Sequence, residues 1–174
     1  LYDTAHQAVV DLELDNHVRM YVCGITPYDS THLGHAATYL TYDLIIGRLE
    51  DLGHTVEMVR NVTDVGDSIL PKARELGIDF LQLAEQEMER FGKDMDALNM
   101  RPANFEPRAT ESIDSMLDLI QQLQDGGHTY VSEGTTYFDV TTFPSFGKLS
   151  HLTEKEMKEL AAERGGNPDN PAQR

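Results

Sequence analysis

Hydrophobic and polar positions along the chain fall into stretches of different period, and each change of period marks an element. Val18, Met20, Tyr21 and Val22 form a β-branched, aromatic and apolar run that predicts a buried strand over 18–23. After Cys23-Gly24 and Pro27 the period becomes helical. Leu33, Ala36, Ala37, Leu40, Leu44, Ile45 and Leu49 recur three and four apart, predicting a helix over 32–52 closed by Gly53. Residues 55–60 alternate as a second strand, parallel to the first because a helix crosses between them. This is a βαβ unit, and the expected fold class is α/β. A ligand in such a sheet sits beyond the carboxyl ends of the strands. Those ends are Cys23-Gly24 and Arg60-Asn61-Val62-Thr63-Asp64, so the two polar clusters should share one crevice.

The remaining pattern is less specific. Val9, Val10, Leu12 and Leu14 mark an N-terminal arm with a short strand. Residues 68–98 read as helical and acidic, punctuated by Gly77, with Phe80, Leu81, Leu83, Ala84, Met88, Phe91, Met95 and Leu98 as the core-facing stripe. A connector with two prolines over 99–108 leads to a helix over 109–124. A β-hairpin over 128–140 turns at Ser132-Glu133-Gly134, and a short charged helix covers about 153–162. The tail 163–174 is rich in Gly, Pro and Asn and predicts no regular element.

Composition narrows the class. The 174 residues are 40% hydrophobic and 25% charged, as in a globular protein with one real core. The net charge of −16 makes the chain by itself a poor match for phosphate backbones. One cysteine excludes an internal disulfide, no run of 18 apolar residues predicts a membrane span, and the cytoplasm is the expected location.

Chemistry concentrates in 20–38. A strand, a glycine turn and a helix start is where an α/β fold holds anions, because the first backbone N–H groups are unpaired and the helix dipole is positive there. His32-Leu33-Gly34-His35 adds two imidazole donors around a glycine, and Cys23 places a thiol at the strand end. Read without further context, His32 is a helix cap, Cys23 a small buried hydrophobe, Thr38 a hydroxyl bonded to its own helix, and Asp64 either a helix cap or a partner for an amine.

These motifs resemble the first half of a class I aminoacyl-tRNA synthetase catalytic domain of the cysteinyl branch. His32-Leu33-Gly34-His35 matches the class signature, Cys23-Gly24 the branch's opening, and Arg60-Asn61-Val62-Thr63-Asp64 its second strand end. Two families share them: cysteinyl-tRNA synthetase and the cysteine ligase of mycothiol biosynthesis. Ile25-Thr26-Pro27 after Cys23-Gly24, Ala37-Thr38 after His35-Ala36, and the tail Glu163-Arg164-Gly165-Gly166-Asn167-Pro168 are more similar to the ligase. The stretch 68–74 and the segment 143–149 are more similar to the synthetase, and Gly66 departs from both.

The resemblance implies ATP, with magnesium, activating L-cysteine as cysteinyl-adenylate, and transfer to the amine of glucosaminyl-inositol; tRNA is the acceptor under the alternative. It implies that His32 and His35 serve catalysis at the phosphates. Cys23, Gly24, Ile25, Thr26, Gly34, Thr38, Asn61, Val62 and Thr63 would contact ATP or the adenylate. Cys23 would also be one ligand of a zinc whose other ligands lie further along. The expected organisation is the N-terminal half of a Rossmann-type catalytic domain over 1–127 and the start of an inserted connective domain over 128–174. The lysine-rich loop that grips ATP in the class has no counterpart before Arg174, so the chain reads as a fragment that does not turn over alone. A third reading is a relative that binds a nucleotide without catalysis.

Overall fold

The structure is a computed structural model that describes residues 1–132 and 134–163. In chain order its elements are β1 (Tyr2–Asp3), β2 (Ala8–Val9), β3 (His17–Ile25), α1 (Leu33–Asp51), β4 (Thr55–Val62), α2 (Ile69–Leu76), α3 (Phe80–Ala97), α4 (Ile113–Asp125), β5 (Thr129–Ser132), β6 (Thr135–Phe138) and α5 (Glu154–Glu163). The ligase-like tail motif lies, apart from Glu163, outside the described residues, as does Glu133 of the predicted hairpin turn. The chain divides into two compact units, Leu14–Asp114 and Leu1–Glu13 with Ser115–Arg174. No helix among the described residues is long and apolar enough to cross a membrane.

Within Leu14–Asp114, β3 and β4 pair in parallel from His17 opposite Thr55 to Val22 opposite Arg60. Both strands run two residues past their predicted ends, so Gly24 and Ile25 also belong to β3. The connector at 99–108, which its prolines marked as irregular, pairs its backbone with the outer edge of β4. Val59 bridges Phe105 and Val62 bridges Arg108, and Arg60 N–H donates to the Phe105 carbonyl at 3.0 Å. Proline at 107 fits an edge position, where only its carbonyl is needed.

The buried face of α1 matches its predicted stripe at Leu40 and Leu49 and departs from it elsewhere. Tyr39, Ile46 and Leu49 are buried, whereas Leu33 is 87% and Leu44 72% exposed. Apolar residues occur all round this helix, so periodicity alone did not single out the packed face. On α3 the stripe is Leu83, Ala84, Glu87, Phe91 and Met95, with Leu81 and Leu98 exposed. Gly77, with φ 68°, ends α2, and the Asp79 carboxylate accepts from the Leu81 and Gln82 N–H groups to start α3. One core cluster joins Val22, Ile25, Tyr39, Ile46, Met58, Phe91, Met95 and Met100; a second joins Ile69, Ala73, Leu83 and Ala84.

Arg60 is buried among these apolar groups. Its guanidinium lies 5.0 Å from the Tyr39 ring centre and 4.7 Å from that of Phe91, and it donates to Glu106. The pairing and the two ring faces offset the cost of burying a cation. In the other unit, β5 and β6 form the predicted antiparallel hairpin, with Tyr130 and Tyr137 stacked at 5.5 Å. There too His151 Nε2 lies 3.0 Å from the carbonyl oxygens of Thr4 and Ala5.

Candidate functional site

The inward face of β3 alternates as Val18, Met20 and Val22, and then the alternation slips. Between the pairs Val22–Arg60 and Ile25–Val62, two residues of β3 (Cys23 and Gly24) oppose one of β4 (Asn61), which is a β-bulge. Gly24 sits in it with the two backbones almost touching. A Cβ at that position would lie 1.5 Å from the Asn61 carbonyl oxygen, so no other residue fits. The Asn61 side chain takes over the hydrogen bonding. Its Oδ1 accepts from Gly24 N–H at 2.9 Å and from the Tyr21 hydroxyl at 2.8 Å, and its Nδ2 donates to Thr63 Oγ1 at 3.1 Å. Beyond the bulge, Thr63 N–H donates to the Ile25 carbonyl at 2.9 Å, which rejoins the strands. Cys23 is left exposed at the sheet's carboxyl end.

The start of α1 is built by the histidines. His32 is the N-cap, in extended geometry (φ −132°, ψ 172°). Its Nδ1 accepts from Gly34 N–H at 3.1 Å, and His35 Nδ1 accepts from His32 N–H at 3.3 Å, a reciprocal capping box. The two rings stack at 4.0 Å. Both Nδ1 atoms being acceptors, each neutral ring carries its proton on Nε2, leaving two outward N–H donors at the positive end of a 19-residue helix. Burial, and then the neighbouring His32, hold the His35 pKa below the ordinary histidine value of 6.5. A Cβ at Gly34 would strike the His32 ring at 2.9 Å, so this glycine makes room for the cap itself. The Thr31 hydroxyl donates to Asp94 of α3, tying down the approach to the helix.

The structure brings Cys23, Gly24, Thr26, Asn61 and Thr63 together at the paired strand ends, and His32, Gly34, His35 and Thr38 at the start of the helix that follows β3. Thr26 and Thr63 are partly exposed. Thr38 donates to the Gly34 carbonyl at 2.9 Å, which leaves its oxygen lone pairs outward. Ile25 and Val62 turn into the core, so their side chains hold the strand ends and do not face the crevice. Asp64 is wholly buried; it accepts from Thr110 N–H at 2.9 Å and from the Thr110 hydroxyl at 2.6 Å. It therefore caps the turn that leads into α4, the first of its two readings. Tyr21 was missed, since a tyrosine in a strand run reads as packing. Glu87, missed too, interrupts an otherwise apolar stripe; it is buried, with Oε1 bonded to Arg90 at 2.8 Å and no partner for Oε2.

Among the described residues no three His, Cys, Asp or Glu side chains converge as a metal-binding group. Cys23 alone supplies one thiolate, and a tetrahedral zinc site needs three or four protein ligands. The described residues do not by themselves fit zinc.

The fold of the chain is similar to that of solved class I synthetases. Mycobacterium tuberculosis methionyl-tRNA synthetase in complex with methionyl-adenylate matches with a TM-score of 0.56 at 18% identity, over 69% of this chain and 28% of that one. A second structure of that enzyme bound by methionyl-adenylate gives 0.54 at 20% identity, over 71% and 30%. The fold is that of this class. At the level of sequence, residues 9–172 match the tRNA synthetases class I (C) catalytic domain, and the chain belongs to that family.

Similar proteins are named L-cysteine:1D-myo-inositol 2-amino-2-deoxy-alpha-D-glucopyranoside ligase. That of Parafrankia sp. (strain EAN1pec) is 45% identical over 99% of this chain and 39% of its own length. The Thermobispora bispora and Streptomyces coelicolor proteins are each 45% identical over the whole chain, and over 43% and 42% of their own lengths. The chain spans about two-fifths of these relatives.

Proposed function

We propose that the protein to which this sequence belongs is an ATP-dependent ligase that activates L-cysteine and joins it to the amine of glucosaminyl-inositol. The observation that carries this reading is the 45% identity, along essentially the whole chain, to relatives named for that reaction. In the first step a cysteine carboxylate oxygen attacks the α-phosphorus of ATP, the bond to the β-phosphate oxygen breaks, and pyrophosphate leaves. In the second the acceptor amine attacks the activated carbonyl, AMP leaves, and the amine gives up a proton.

The chain's own part is positioning and charge stabilisation. The Nε2–H groups of His32 and His35 donate to the phosphates as charge shifts onto pyrophosphate, and the helix dipole adds to them. With both Nδ1 atoms taken up in the cap, Nε2 is the ring nitrogen left to each histidine for a phosphate. Thr26 and Thr63 offer hydroxyls to the cysteine and ribose ends. Cys23 stands where a metal shared with the substrate thiol would gain one ligand, the rest coming from elsewhere in the protein. Residues from 128 onward are read as the start of a connective domain, and this chain as the front part of the catalytic domain, inactive by itself.

The test uses the intact protein with ATP, labelled cysteine, and glucosaminyl-inositol and bulk tRNA in parallel. Label in the aminosugar amide with tRNA uncharged is the expected result. Charged tRNA without amide would move the reading to the synthetase branch. Absence of cysteine-dependent ATP consumption would overturn both.

A further inference from the structure

We propose that Asn61 is a positioning residue whose side-chain amide, supported by Tyr21, holds the bulge at Cys23-Gly24 and so fixes the direction in which Thr26 leaves the strand and the surroundings in which Cys23 is exposed. Resemblance alone would make Asn61 a contact to the adenylate; the geometry gives it other work. Gly24 N–H can only donate, so the Asn61 atom 2.9 Å away is the carbonyl oxygen, and the amide nitrogen necessarily faces Thr63. That orientation is held from three sides, by Tyr21, Gly24 and Thr63.

The consequence for direction follows from the period of a strand. Up to Val22 the inward residues are even-numbered; after the bulge the inward residue is Ile25, 4% exposed in the main core. Without an acceptor, the half-buried Gly24 N–H is left unpaired, and the strand relieves this by sliding back towards regular pairing. A one-residue slip exchanges the two faces. It would turn Gly24 inward, push Ile25 out of the core and turn Thr26 inward; Cys23 keeps its outward side but exchanges its neighbours. The geometric role stands whatever the reaction; its importance for cysteine activation rests on the proposed function.

The single cysteine makes the test direct, because iodoacetamide reports on Cys23 alone. In the full chain, Asn61→Ala is expected to raise Gly24 amide exchange about tenfold over neighbouring amides of the β3–β4 ladder, and to change the Cys23 alkylation rate about threefold or more. Asn61→Asp keeps the acceptor and is expected to hold Gly24 exchange within about twofold of the parent chain. Unchanged exchange and alkylation in a folded Asn61→Ala chain would overturn the proposal. So would equal loss of Gly24 protection in both variants. Should Asn61→Ala fail to fold, Gly24 in Asn61→Asp decides: protection kept supports the role, protection lost refutes it. Cysteine-dependent exchange of pyrophosphate into ATP, measured on the intact protein, separates the two ideas. Its absence in the parent beside a shift at Gly24 would sink the reaction and leave the positioning role intact.

Discussion

Two residues carry most of the local geometry. Gly24 is held where a methyl group would meet the Asn61 carbonyl oxygen at 1.5 Å, a contact between two backbones that no rotamer relieves. Gly24→Ala should therefore cost about 3 kcal/mol of folding free energy, read from urea denaturation; a loss below about 0.5 kcal/mol would mean that the strands separate easily there. His35 sets a pH dependence. Its folded pKa lies below 6.5, so its contribution to stability is complete above that value and fades as pH falls through the folded pKa. Protonation at Nδ1 would also remove the acceptor for His32 N–H. An imidazole NMR titration should place His35 below an ordinary histidine. The dependence of stability on pH below about 6.5 should flatten in His35→Gln. An ordinary titration for His35 would refute this.

At the scale of elements, what was legible in the sequence depended on how local the signal is. β3, α1 and β4 are written in their own residues: a β-branched run, a capped helical period and an alternating strand. The bulge is not, because it arises between residues 37 positions apart. Nor is the edge pairing of 99–108, where two prolines in the sequence argue for irregularity and the strand partner supplies the order. The Asp64 cap is of the same kind. It joins the end of β4 to Thr110, 46 positions away, through two bonds in a fully buried setting. Asp64→Ala should cost about 2–3 kcal/mol by leaving Thr110 N–H unpaired, and Asp64→Asn clearly less, in paired chemical melts. Equal costs would point to lost packing in place of the cap.

For the whole molecule, both core clusters and every carried-over site residue fall within Leu14–Asp114. A piece of the protein with those limits is expected to melt cooperatively, as followed by circular dichroism, and to alkylate Cys23 at the rate of the full chain. A non-cooperative melt would show that the terminal segments are needed for the core to form. The family could be read from short motifs because each places its chemistry at a fixed distance from a strand end or a helix start. The expected zinc cannot be followed in the same way, since Cys23 has no two converging partners among the described residues.

The bulge also separates two kinds of constraint that are usually tangled together. Position 24 is closed to every side chain by sterics, while position 23, one residue earlier, is exposed and open to almost any. In a saturation library selected only for folded protein, the first position should stay glycine and the second should drift freely. In the same library selected for the reaction, both should be invariant. The contrast at position 23 would then measure selection for chemistry with folding already subtracted.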